Sequence, residues 1–134
     1  MDAKEIVNKM YSEDAFSQWL GISIDETGEG YCKISMEIRS EMLNGFGIAH
    51  GGITYSLADS AFAFSCNSRG MHAVSIETAI SHMIALRAGD KLMAIAKEKS
   101  RSRKIGFYEI EVFRDQELVA LFKGTCYVKD KIWE

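Results

Sequence analysis

The sequence contains no proline, so its turns rest on glycine, asparagine and aspartate. It also lacks a CxxC pair. Cys32, Cys66 and Cys126 lie far apart, each inside an apolar helix or strand pattern, which points to buried free thiols rather than to disulfides or a zinc site. The three histidines, His50, His72 and His82, match no compact ligand spacing, and no metal or other cofactor is expected. Positive charge is not in excess: the net charge of -3 argues against nucleic acid as a partner. No apolar run is long enough for a bilayer, and the longest is interrupted by Asp59, so no membrane association is expected. Met1 to Met10 carries Asp2, Lys4, Glu5 and Lys9, unlike a signal peptide. What remains is a cytoplasmic protein with a single domain over residues 1–134, of ordinary globular composition at 47% hydrophobic and 26% charged residues.

The most informative stretch runs from Asn44 to Gly70, NGFGIAHGGITYSLADSAFAFSCNSRG. From Ile53 to Cys66 it is apolar or small on nearly every side, the pattern of a helix buried in a core. Asp59 is the only charge within it. It is either a solvated residue on a narrow stripe with Tyr55, Ser56 and Ser60, or a carboxylate with a ligand or a catalytic duty, because a buried charge needs compensation. His50, Gly51 and Gly52 open the helix. A helix N-terminus offers backbone N–H groups without intrahelical acceptors at the positive end of the dipole, which suits an oxyanion as well as it suits a tight turn. Phosphate cradling is less apt, since Ile53 follows where a P-loop has Lys and Ser or Thr.

Around this helix the chain reads as short elements. Asp2 to Tyr11 is a helix with Asp2 and Glu5 placed as a capping box, and Asp14 to Leu20 is a second turn whose Phe16, Trp19 and Leu20 cover one end of a core or acyl pocket. Strands are expected at Ile22–Thr27, Tyr31–Arg39, His72–Met83, Leu92–Lys99, Ile105–Phe113 and Leu118–Val128. In the third, strict alternation puts Val74, Ile76 and Ile80 on one face and Ser75, Glu77 and Ser81 on the other. Short polar turns between strands imply an antiparallel meander. One long helix with about six strands implies an α+β layout with the sheet curled around the helix.

The motifs N-G-x-G-x-x-H-G-G, L-A-D-S-A-F-A and C-N-S-x-G, followed by AVSIETAISHMIALRAGDKLMAIA, together resemble the hotdog-fold acyl-CoA thioesterases, most closely the phenylacetate-pathway (PaaI-type) branch. The resemblance covers roughly Phe16 to Val128. It implies the hotdog fold and hydrolysis of an acyl-CoA, of which phenylacetyl-CoA, hydroxyphenylacetyl-CoA and medium-chain acyl-CoA are the options. It also implies that the Gly51 N–H, helped by Asn44, binds the thioester carbonyl oxygen. By the same resemblance Asp59 activates water or attacks directly, and Ser75 orients the water. His50 and Gly52 would complete the loop against the substrate. Arg101, Arg103 and Lys104, with Lys97 and Lys99, form either a solvated hairpin tip or a grip for coenzyme A phosphates. A non-catalytic acyl-CoA-binding protein and a hotdog dehydratase or hydratase are the alternatives, the latter lacking its usual His and carboxylate pair. Glu77, Ala79 and the turn Arg114–Asp115–Gln116–Glu117 depart from the family pattern.

Gly51 and Asp59 are eight positions apart on one helix, which at 1.5 Å per residue is about 12 Å. One carbonyl cannot touch both. The expected protein is therefore a homodimer, or a dimer of dimers (a homotetramer), in which two antiparallel helices bring Gly51 of one subunit to Asp59 of the other. A monomer with full activity would contradict this.

Overall fold

The computed structural model describes residues 1–134. Helix α1 (Ala3–Ser12) starts at the expected capping box: Asp2 accepts the Glu5 N–H at 2.9 Å and Glu5 accepts the Asp2 N–H at 3.2 Å. Asp14 caps the short α2 (Ala15–Leu20), which ends at Gly21 in the left-handed region at φ 77°. Strands β1 (Ser23–Gly28) and β2 (Tyr31–Glu37) form a hairpin, followed by a single 3-10 turn at Ser40–Met42. Helix α3 (Gly51–Asn67) is the long central helix. Strands β3 (Met71–His82), β4 (Lys91–Arg101), β5 (Ile105–Arg114) and β6 (Glu117–Ile132) complete the chain.

All six strands lie in one antiparallel sheet, in the order β1-β2-β4-β5-β6-β3. The expected meander holds for β4, β5 and β6 but not for β3. α3 separates β2 from β3, and the chain leaves it at the far side of the sheet, where β3 pairs with β6 and forms an edge. Strand β4 then returns to β2.

The sheet curls around α3 because its inward face is built to admit a helix closely. Cys32, Ile34 and Met36 from β2 alternate inward, as predicted, and Leu92, Ala94 and Ala96 continue the face on β4. Ala120, Phe122 and Gly124 complete it on β6. Phe62 of α3 lies directly over Gly124, with its ring centroid 5.7 Å from that of Tyr108 and 5.9 Å from that of Phe122. A helix buried on so many sides has few polar positions. Asp59 and Ser60 lie on its half-buried stripe.

Strand β3 departs from the predicted alternation. Its register with β6 slips between Ser75 and Glu77, a β-bulge that leaves Ile76 unpaired. Before the bulge Ala73 and Ser75 stand opposite Val128 and Cys126, buried residues of β6. After it Thr78, Ile80 and His82 stand opposite Gly124, Phe122 and Ala120. Ile80 thus shares the helix-facing side with Ser75, not the opposite side, while Val74 and Ile76 are left 42% and 57% exposed.

A methyl group at Gly124 would come within 2.7 Å of the Phe62 ring, with no glycine-only backbone angle involved. Gly124→Ala is expected to destabilise the chain by about 1–3 kcal/mol through overpacking. Urea unfolding measures it; an unchanged midpoint would show that the helix can move off the sheet at little cost.

Candidate active site

The loop before α3 is held by its own backbone. The Asn44 N–H donates to Ile48 O at 2.8 Å, Gly47 N–H to Asn44 O at 3.0 Å, and Ala49 N–H to Leu86 O at 2.8 Å. Asn44 Oδ1 accepts the Phe46 N–H at 2.9 Å, which leaves its Nδ2 as the free donor. His50 then caps the helix: its Nδ1 accepts the Gly52 N–H at 2.8 Å, so the ring carries its proton on Nε2 when neutral. The two glycine amides are thereby made unequal. Gly52 cannot turn its N–H to a ligand without losing the cap, whereas the Gly51 N–H has no acceptor in the chain.

Gly51 and Asn44 line one pocket of about 300 Å³, with Ile48, Thr54, His82 and Leu86 around them. Two hydrogen-bond donors in a partly apolar hollow at the positive end of a helix can hold a carbonyl oxygen and stabilise it as it becomes anionic. The wall also includes His82, which the sequence presents only as a candidate metal ligand. Its place depends on the β3 bulge, which no local pattern announces.

Asp59 opens onto a different hollow, of about 200 Å³, between α3 and α2, with Tyr55, Ser56, Asp14, Phe16 and Ser17. Ser17 Oγ donates to Asp14 Oδ2 at 2.5 Å and lies 2.7 Å from Ser60 Oγ, and the Tyr55 hydroxyl is hydrogen-bonded to Thr78 Oγ1. Asp59 takes part in none of these pairings and has no ion pair. Burial alone pushes its carboxyl above the ordinary aspartate range. A higher pKa makes its carboxylate a better proton acceptor for water than a surface aspartate. Within one chain the structure brings Asn44 to Gly51 but not Asp59 to either, in keeping with their helical spacing. Ser75 is exposed on the edge strand and lines neither hollow.

The basic cluster is divided. Arg101 turns inward, its Nη1 donating to Tyr108 Oη at 3.2 Å and to Cys66 O at 3.5 Å near the C-terminal end of α3. Lys104 pairs with Asp130 at 2.9 Å. Arg103, Lys97 and Lys99 are exposed. No group of three His, Cys, Asp or Glu side chains is gathered to hold a metal, and no helix is long and apolar enough to cross a membrane.

Because burial favours the neutral form of Asp59, the ionised carboxylate lowers stability at neutral pH, and this penalty disappears as pH falls through the raised pKa. Asp59→Asn should therefore melt above the parent at pH 7, the two curves converging in acid. A variant melting below the parent at pH 7 would reveal a stabilising partner for the carboxylate.

A family model described as the thioesterase superfamily matches residues 46–121, the span from the loop before α3 into β6. The acyl-coenzyme A thioesterase PaaI of Escherichia coli is 41% identical over 119 residues, covering 88% of this chain and 85% of that protein. A putative esterase of Archaeoglobus fulgidus is 42% identical over 125 residues, 92% of this chain and 81% of its own. The solved structure of the E. coli PaaI protein from the phenylacetic acid degradation operon superimposes with a TM-score of 0.94 at 37% identity, covering 97% of this chain and 95% of that one. The hotdog fold that the motifs implied is thus present, and the chain belongs to the thioesterase superfamily.

Proposed function

We propose that the protein is an acyl-CoA thioesterase, a hydrolase that converts an acyl-CoA and water to the free acid and coenzyme A. The observation that carries the reading is the unpartnered Gly51 N–H beside the Asn44 amide, at a helix N-terminus with space in front of it. In this reading the thioester carbonyl accepts from both donors. Asp59 takes a proton from water as the water oxygen bonds to the carbonyl carbon. The tetrahedral oxyanion then collapses, the C–S bond breaks, and the thiolate recovers the proton. Ser75 is the proposed orienter of the water.

The site requires two copies of the chain. Strand β3 has a neighbour on one side only, and Val74 and Ile76 are exposed along it, so a second copy has both an edge to pair with and apolar surface to cover. An antiparallel arrangement of the two α3 helices carries the Asp59 of one towards the Gly51 of the other. It also carries the β4–β5 tip, at the opposite helix end from Gly51, towards the partner's pocket. Arg103 is then the freest cation for coenzyme A phosphates, while Arg101 and Lys104 must exchange present partners to join it. His50 acts by holding the loop. Phenylacetyl or hydroxyphenylacetyl groups are the proposed acyl class, with Phe16 as an aromatic wall of the Asp59 hollow. Cytoplasmic phenylacetate degradation is the proposed setting of the reaction, and a dimer or a dimer of dimers the proposed assembly.

Thiol release from a panel of aryl and fatty acyl-CoA substrates tests the reading directly. Asp59→Asn should lower kcat by at least about a hundredfold. A parent that binds acyl-CoA and releases no thiol is instead a binding protein.

Gly51→Pro offers a sharper probe. Proline is tolerated at the first helical position, His50 already has the extended backbone that proline demands (φ -59°, ψ 134°), and the change removes the free N–H. A loss of about 10²–10³ in kcat is expected. Co-refolding the inactive Gly51→Pro and Asp59→Asn chains should restore activity, since mixed dimers hold one intact site. No recovery in verified mixed dimers would mean that each site lies within one chain.

A further inference from the structure

His82 is the last residue of β3 and stands opposite Ala120, a buried residue of β6. Without the bulge between Ser75 and Glu77 it would share a face with Val74 and point away from the helix. With it, His82 falls on the same side as Thr78, whose hydroxyl contacts Tyr55 of α3. The result is close approach to the helix start. A methyl group on Gly51 would lie 3.3 Å from His82 Nε2, 3.7 Å from Cε1 and 3.9 Å from Cδ2, so Nε2 is the ring atom nearest that position. The ring lines the same pocket as Gly51 and Asn44, and nearby polar groups leave it free: Asn44 Oδ1 holds Phe46 N–H and His50 Nδ1 holds Gly52 N–H.

We propose that His82 is a further catalytic residue, donating its Nε2–H to the thioester carbonyl oxygen alongside the Gly51 N–H. The inference rests on the thioesterase reading above. An oxygen within hydrogen-bond distance of the Gly51 N–H, in this pocket, lies within reach of a donor held so near the Gly51 Cα. As the carbonyl becomes an oxyanion, a second fixed donor stabilises the charge more than the neutral ground state. No bond to His82 forms or breaks. The neutral tautomer with the proton on Nε2 suffices, and Nδ1 remains directed away from the reacting oxygen.

Two variants separate donation from packing. His82→Phe keeps a flat ring and deletes the donor, while His82→Gln keeps an N–H near the Nε2 position. Each is compared with the parent for kcat and KM on the best acyl-CoA of the panel, and for Kd of an S-alkyl-CoA thioether, which has no carbonyl. His82→Phe is expected to lose about a hundredfold in kcat with KM and thioether Kd within about threefold of the parent. His82→Gln should recover most of that loss. His82→Phe with the kcat of an active parent would overturn the role of His82 alone, as would equal losses in both variants with a matching loss of thioether affinity. A parent that releases no thiol from any acyl-CoA overturns the thioesterase reading and this inference with it.

Discussion

The fold depends on how closely α3 lies against the sheet, and that closeness is set where Phe62 meets Gly124. A side chain at 124 would hold the helix away, and the aromatic contacts with Tyr108 and Phe122 would open with it. Ala94 and Ala96 on β4 and Ala120 on β6 itself serve the same end. Because the helix is gripped along its length, its first turn is fixed relative to the end of β3 and to the loop from Asn44 to His50. The pocket lined by Gly51, Asn44 and His82 depends on that placement.

The helix also arranges the electrostatics. Its N-terminus presents a single amide, since the His50 imidazole takes up the next one. Eight residues on, Asp59 is half-buried without a counter-ion, and burial raises its pKa. These features carry opposite tendencies, a positive end that wants an anion and a carboxylate that holds its proton more tightly, and the rigid helix keeps them about 12 Å apart. In the proposed mechanism they serve one thioester, which needs two copies of the helix lying antiparallel. In the proposed assembly the exposed edge of β3 is the surface a second copy would cover.

Departures from regularity are concentrated on β3. The bulge near Ser75 reverses which side chains face the helix, leaves Ile76 outside, and puts Thr78 and the exposed His82 on the helix side of the sheet. At the β5–β6 turn, one of the departures from the family pattern, Asp115 takes a positive φ of 55°, a conformation that aspartate adopts more readily than most side chains. Arg114 braces the turn through Asp90 at 3.0 Å and Glu117 at 2.6 Å. That departure lies far from the pocket in the chain and is accommodated locally.

What the sequence by itself determined is what nearest neighbours decide. The capping box at Asp2 and Glu5, the second helical turn up to Leu20 and the alternation of β2 are local, and each is realised. The central helix and its lone charge were legible because an all-round apolar pattern admits few other uses. Asn44, Gly51 and Asp59 were marked by their motif, although only the fold shows that the first two share a pocket and the third does not. Tertiary structure alone decided the edge position of β3, the face of Ser75, the inward turn of Arg101 and the approach of His82 to Gly51. The physical reason is the range of the interactions. Caps and periodicity act within a few residues, whereas strand order, a bulge and a cavity wall are fixed by pairing and packing between segments distant in the chain, which no local pattern encodes.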